Sequence, residues 1–134
     1  MSERKKILIV DDDKEFVRGL ALRLKTSGFD VVAAPDAIAA TSMARKESPD
    51  LILLDYSLPG GTGLTVLDRL KSLTVIAPII VVSASDLADL PKRARDAGAF
   101  AFLRKPVENV TLLETIHRAL GDTWASASSG SSSA

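Results

Sequence analysis

Cysteine is absent from this chain of 134 residues. A disulfide framework, a thiolate metal site and a cysteine nucleophile are therefore excluded. An excess of charge of one sign is also missing, because 17 Lys and Arg residues balance 17 Asp and Glu residues. Proteins that coat nucleic acid or an anionic membrane need a basic excess, so the charge balance argues against both functions.

Long apolar runs are missing as well. The charged N-terminus is followed by four apolar residues, Ile7–Val10, which are too few for the hydrophobic region of a secretory signal. No other run reaches the roughly 20 residues of a membrane-spanning helix. We therefore expect a soluble cytoplasmic protein without membrane contacts. Its 46% hydrophobic content allows a core, and its length suits one domain.

Five short apolar segments alternate with longer amphipathic segments. Three of the apolar segments are nearly continuous runs of branched residues, which is typical of strands buried on both faces of a parallel sheet. The predicted strands are 6–10, 30–34, 51–54, 79–82 and 100–103. The predicted helices are 14–27, 36–46, 63–73, about 89–98 and about 108–120.

This strict alternation predicts an α/β fold, a doubly wound parallel sheet with helices on both faces. Such sheets bind ligands outside the carboxyl ends of their strands, so functional residues are expected there. The predicted domain covers residues 5–121. Residues 122–134 are rich in serine and other small residues, and are predicted to form a flexible tail or linker.

Polar side chains follow four of the predicted strands. They are Asp11, Asp12 and Asp13 after the first, Asp55 after the third, Ser83 after the fourth and Lys105 after the fifth. Two carboxylates at ~4 Å repel by on the order of 4 kcal/mol at an effective dielectric near 20, so the cluster requires a cation. Oxygen ligands of this kind select Mg²⁺ or Mn²⁺. Together with the nearby lysine and hydroxyl, these carboxylates indicate phosphoryl transfer. Asp13 is expected to cap the first helix instead.

Several ordered motifs carry a family resemblance. They are Ile7–Asp13, Asp50–Asp55, Leu58–Gly60, Val82–Ala84, Gly98-Ala99 and Lys105-Pro106. In this order and spacing the sequence resembles the receiver domains of two-component response regulators, over roughly residues 5 to 121. Each motif is weak alone, but the ordered set is highly specific.

The resemblance implies a flavodoxin-like (βα)5 three-layer sandwich with strand order 2-1-3-4-5. It makes Asp55 the phosphoacceptor, supplied by a cognate histidine kinase or phosphotransfer protein. Such a domain is a switch rather than an enzyme, and its chemistry is limited to its own phosphorylation and dephosphorylation. The domain itself is expected to bind no nucleic acid.

The resemblance also assigns the metal site. Asp12 is expected to bind Mg²⁺ directly and Asp11 mainly through metal-bound water, with Asp55 and the backbone carbonyl of Ser57 completing the protein ligands. Lys105 is expected to pair with the phosphoryl oxygens and to precede a cis peptide bond to Pro106.

Ser83 and Phe102 resemble the hydroxyl–aromatic pair that reports phosphorylation to the surface. That surface, made by the fourth helix, fifth strand and fifth helix, would contact an output partner or a second copy of the chain. The residues alone leave Phe102 open between a core aromatic and a mobile switch residue. Thr62 departs from the family, which often has Asp there, while Ser57 and Ser85 occupy positions that tune phosphoryl lifetime.

Other functions share parts of this pattern. The chain could be a receiver domain from a hybrid histidine kinase or a longer regulator. A Mg²⁺-dependent phosphohydrolase with an aspartyl nucleophile needs a second aspartate two residues after Asp55, where this chain has Ser57. A flavodoxin-like nucleotide binder needs a phosphate-binding loop after the first strand, where three aspartates would repel phosphate.

Overall fold

The protein was analysed as a computed structural model that describes residues 4–121. The predicted tail, 122–134, lies outside this range. The chain forms a five-stranded parallel sheet in the order β2-β1-β3-β6-β7. Its strands are β1 (Lys6–Val10), β2 (Asp30–Ala34), β3 (Leu51–Asp55), β6 (Ile79–Ser83) and β7 (Ala101–Arg104). Counted along the chain, this is the predicted order 2-1-3-4-5.

Within residues 4–121, five helices connect and cover the strands. They are α1 (Lys14–Thr26), α2 (Ala37–Glu47), α3 (Gly63–Ser72), α4 (Leu90–Asp96) and α5 (Asn109–Leu120). Between residues 4 and 121, no helix has the length and apolar character needed to cross a membrane.

Alternate strand residues build a core on each face of the sheet. On β1, Ile7 and Ile9 pack with α1 and α5, whereas Leu8 and Val10 pack with α2, α3 and α4. All four side chains are at most 1% exposed. Because successive side chains of a strand point to opposite faces, nearly continuous apolar strands supply both cores. The predicted three-layer α/β sandwich is confirmed.

Several predicted element ends are shifted by one residue, and two local features differ more clearly from the prediction. Helix α4 ends at Asp96 instead of Gly98, because Ala97 caps it and Gly98 has a φ of 108° that no helix accommodates. A short antiparallel hairpin, β4 (Ser57–Leu58) with β5 (Gly61–Thr62), follows β3. Its strands are too short to produce a recognisable alternation of polar and apolar residues.

Candidate functional site

Three strands of the sheet bring Asp11, Asp55 and Lys105 together at one rim. The ammonium of Lys105 lies 2.8 Å from Asp11 Oδ2 and 3.4 Å from Asp55 Oδ1. Their side chains are largely buried, with 17% of Lys105, 3% of Asp11 and 8% of Asp55 exposed. Removal from water strengthens the attraction between these charges.

The aspartates after β1 have separate environments. Asp11 accepts from Lys105 through Oδ2 and from the backbone N–H of Asp13 through Oδ1, at 2.8 and 2.9 Å. Asp12 is exposed. The Asp13 carboxylate accepts from the backbone N–H groups of Glu15 and Phe16, so it caps α1 as expected. The triplet therefore supplies two carboxylates to the site and one to the helix.

Asp11, Asp12 and Asp55 form a group that could hold a metal ion. One carboxylate oxygen from each lies within 4.8 Å of those of the other two. Hard oxygen donors at this spacing fit the requirements of Mg²⁺, which takes few protein ligands and keeps several waters.

Burial and the nearby charge of Asp11 raise the pKa of Asp55 to about 6 from an ordinary value of 3.8. Lys105 and the backbone N–H of Ser57, which donates to the Asp55 carboxylate, act in the opposite direction. Burial lowers the pKa of Lys105, but its hydrogen bond to Asp11 and the charge of Asp55 outweigh burial and raise that pKa. Lys105 therefore stays protonated and positively charged, whereas the buried site disfavours the ionised form of Asp55.

The turn after β3 holds Asp55 in place. The backbone N–H of Tyr56 donates to the carbonyl of Val82, and that of Gly63 donates to the carbonyl of Tyr56. A Cβ on Gly63 would lie 2.3 Å from the Asp55 carbonyl oxygen and 2.9 Å from the Tyr56 Cα. The start of α3 thus lies against the backbone of Asp55 and Tyr56 at a distance that only glycine permits, which the sequence did not reveal.

Ser83 lies at the carboxyl end of β6 and is 1% exposed. Its hydroxyl oxygen accepts from the backbone N–H of Ser85 at 2.9 Å. On the neighbouring strand, register pairs Ser83 with Arg104 and Val81 with Phe102. Ser83 and Phe102 are therefore on adjacent strands, two positions apart in register.

Phe102 is half-buried and packs against the core shared by α2, α3 and α4. The guanidinium of Arg104 lies 5.4 Å from the centre of its ring and donates a hydrogen bond to the carbonyl of Ser85. Arg104 thus connects the β6–α4 loop with Phe102, a contact that the sequence analysis missed. The predicted cis peptide bond between Lys105 and Pro106 is confirmed.

Phe16, in the first turn of α1, is a further residue beside the site that the sequence analysis did not identify. Its ring centre lies 4.1 Å from the ammonium of Lys105. No sequence signal identified this contact, because the two residues are far apart in the chain.

Comparison with known proteins identifies the family. The family model for the response regulator receiver domain matches residues 7–117. The chain is 35% identical over 117 residues to the transcriptional regulatory protein PdtaR of Mycobacterium tuberculosis, covering 87% of this chain and 57% of that protein. It is 35% identical over 113 residues to the response regulator PleD of Caulobacter vibrioides, covering 83% of this chain and 25% of that protein. The chain thus spans between a quarter and just over half of these relatives.

Solved structures agree with this result. A CheY-like response regulator receiver domain from Methanospirillum hungatei superimposes with a TM-score of 0.84 at 30% identity, covering 89% of this chain and 95% of that one. A response regulator from Chloroflexus aurantiacus gives 0.83 at 30% identity, covering 89% and 99%. The family model, the curated relatives and the solved structures agree, and the chain belongs to the response regulator receiver domain family, whose members are signalling switches.

Proposed function

We propose that Asp55 accepts a phosphoryl group from the phosphohistidine of a histidine kinase or phosphotransfer protein. The observation that carries the proposal is the buried Asp55 carboxylate, 3.4 Å from the Lys105 ammonium and grouped with two further carboxylates. An oxygen of Asp55 attacks phosphorus and the phosphorus–nitrogen bond breaks. The electron pair of that bond returns to the imidazole of the donor. This is a stoichiometric switch reaction rather than turnover of a substrate.

The proposed metal is Mg²⁺, or Mn²⁺ in its place. Both oxygens of Asp11 already accept hydrogen bonds, whereas Asp12 is exposed, which supports Asp12 as a direct ligand and Asp11 as one acting through water. Asp55 and the carbonyl of Ser57 would complete the protein ligands. When bound, the metal neutralises the charge of the carboxylates and of the incoming phosphoryl oxygens.

Lys105 and Ser83 would act on the phosphoryl group itself. The ammonium already contacts the acceptor and can pair with a phosphoryl oxygen. The Ser83 hydroxyl, which now accepts from Ser85, can donate to another. The small side chains of Ser57 and Ser85 would leave room for water beside the phosphoryl group. Access of that water would then set the lifetime of the phosphorylated state.

The proposed output is a change in the surface formed by α4, β7 and α5. A hydrogen bond from Ser83 to the phosphoryl group is charge-assisted and is worth about 1.5–3 kcal/mol. This shifts a two-state equilibrium by roughly ten- to a hundredfold. Movement of the loop at 84–89 would change the contact of Arg104 with Phe102, allow that ring to turn inward, and alter binding of an output partner or a second copy.

The direct test is phosphorylation by acetyl phosphate, followed by intact-mass measurement. Wild type should gain one phosphoryl group only with a divalent cation present, and Asp55→Asn should gain none. Equal uptake by wild type and Asp55→Asn would contradict the assignment. We further propose that residues 5–121 form the receiver domain and 122–134 a tail or linker, in a stand-alone receiver, a longer regulator or a hybrid histidine kinase. The cytoplasm remains the location expected from the sequence.

A further inference from the structure

The ring of Phe16 lies against the ammonium of Lys105. Phe16 is in the first turn of α1, half-buried, and packs with the core shared by α1 and α5. Its ring centre is 4.1 Å from Lys105 Nζ, within the range of a cation–π contact. The ammonium therefore contacts the carboxylates of Asp11 and Asp55 as well as the ring of Phe16.

The aromatic contact differs in kind from the two ion pairs. A ring face attracts a cation electrostatically and excludes water from it, and the attraction is stronger at a desolvated site. Only 17% of the Lys105 side chain is exposed. An ammonium has three N–H donors, and a phenyl ring does not compete for them as strongly as an oxygen acceptor would. The ring can restrain the lysine while a donor stays available for a phosphoryl oxygen.

Asp13 caps the first turn of α1, which carries this ring. Its carboxylate accepts from the backbone N–H of Phe16 at 3.1 Å and so holds the first turn of α1 beside the acidic rim. The third aspartate of the triplet, which does not join the metal-binding group, thereby acts on the site through Phe16.

We propose that Phe16 is a positioning residue for phosphoryl transfer, whose ring holds the Lys105 ammonium beside Asp11 and Asp55. The inference rests on the proposed function of Asp55, and it assigns to Phe16 a role beyond packing. A flexible lysine that is already placed reaches the developing charge without reorganisation, which is the condition for efficient electrostatic stabilisation.

The test compares three substitutions. Phe16→Leu keeps an apolar side chain but removes the ring face, whereas Phe16→Tyr keeps the face. Phe29→Leu is the matched control, because Phe29 is a buried aromatic of the same core and its ring contacts His117 instead. We expect Phe16→Leu to slow phosphate uptake from acetyl phosphate at saturating Mg²⁺ by about three- to thirtyfold. Phe16→Tyr and Phe29→Leu should stay within about twofold of wild type, since both keep the ring on Lys105.

Two further measurements separate positioning from structure. Mg²⁺ affinity should change little in Phe16→Leu, because the proposed ligands are untouched. In NMR spectra, the side-chain methylene protons of Lys105, assigned with Lys105→Ala, should show an upfield ring-current shift in wild type and Phe16→Tyr that Phe16→Leu loses. The NMR measurement on wild type tests the contact even if Phe16→Leu does not fold.

Each outcome decides one proposal. Absence of the ring-current shift in wild type would overturn the positioning role, as would equal uptake rates for Phe16→Leu and wild type. Equal slowing by Phe16→Leu and Phe29→Leu would do the same, because it would indicate a general effect of the core. Failure of wild type to take up phosphate on Asp55 would instead contradict the proposed function, and the NMR result would still stand.

Discussion

At the scale of single residues, Asp55 combines the proposed reactivity with a cost to stability. Its folded-state pKa of about 6 lies above the ordinary value of 3.8. The folded protein therefore holds the proton more tightly than the unfolded chain does. The contribution of the protonated Asp55 carboxyl to the free energy of unfolding is fully present below the unfolded pKa of 3.8. It is lost as the pH rises through about 6. In metal-free buffer above that pH, the ionised carboxylate costs on the order of 1–3 kcal/mol.

Replacement of Asp55 by Asn should therefore stabilise the metal-free protein at pH 7.5. Urea unfolding should show a gain of about 1–3 kcal/mol that shrinks toward pH 4, where both proteins are neutral at this position. Asp68→Asn, at an exposed position on α3, is the control and should change stability by less than about 0.5 kcal/mol. If Asp55→Asn is no more stable than wild type at pH 7.5, the ionised Asp55 carboxylate does not destabilise the folded protein.

Ser83 allows phosphate acceptance to be separated from signal transmission. Ser83→Ala removes the proposed hydrogen bond to the phosphoryl group but leaves Asp55 and Lys105 in place. The variant should take up phosphate on Asp55, yet fail to show the roughly ten- to hundredfold change in partner binding or self-association. Both quantities should be measured on the same sample. A phosphorylated Ser83→Ala protein that binds or dimerises as wild type does would mean that the signal leaves by another route.

At the scale of helices and strands, substitutions of two glycines test whether close packing of α3 against β3 positions Asp55. Gly19 is exposed in the middle of α1 and has open space where a Cβ would be. Gly63 opens α3 and lies against the backbone of Asp55 and Tyr56. The same substitution should therefore act in opposite directions at the two positions.

Gly19→Ala should stabilise the protein by about 0.5–1 kcal/mol, because alanine has the higher helix propensity. Gly63→Ala should destabilise it by about 1–3 kcal/mol and slow phosphate uptake, because the end of β3 must move to admit the methyl group. Chemical denaturation and acetyl phosphate labelling would measure both effects. Unchanged stability in Gly63→Ala would show that α3 can shift freely relative to Asp55.

For the whole molecule, a metal bound to the folded state only should stabilise it by mass action. At a Mg²⁺ concentration a hundred times the Kd, the gain is about 2.7 kcal/mol, which corresponds to roughly 10 °C in Tm. Asp12→Asn should lose most of this gain. Asp13→Asn should keep it, because asparagine also caps a helix and Asp13 lies outside the metal-binding group. Equal losses in the two variants would mean that the ligand assignment within the triplet is wrong.

Much of the fold was determined by the sequence alone. Branched apolar runs such as Ile7–Val10 and Leu51–Leu54 pack on both sides, and only a sheet covered on both faces buries them. Regular alternation with helices makes the sheet parallel, so residues that follow its strands collect at one rim. Asp11, Asp55 and Lys105 were for this reason predictable as neighbours.

Tertiary structure alone decided which groups touch at that rim. The contacts of Phe16 with Lys105, of Arg104 with Ser85 and of Gly63 with Asp55 depend on how helices and loops pack on the sheet. Local patterns report burial and secondary structure, because those depend on neighbouring residues. They carry no information on distances of a few ångströms between residues far apart in the chain. The environment that sets the pKa of Asp55, in which burial and Asp11 raise it and Lys105 lowers it, arises only when β1, β3 and β7 are brought together.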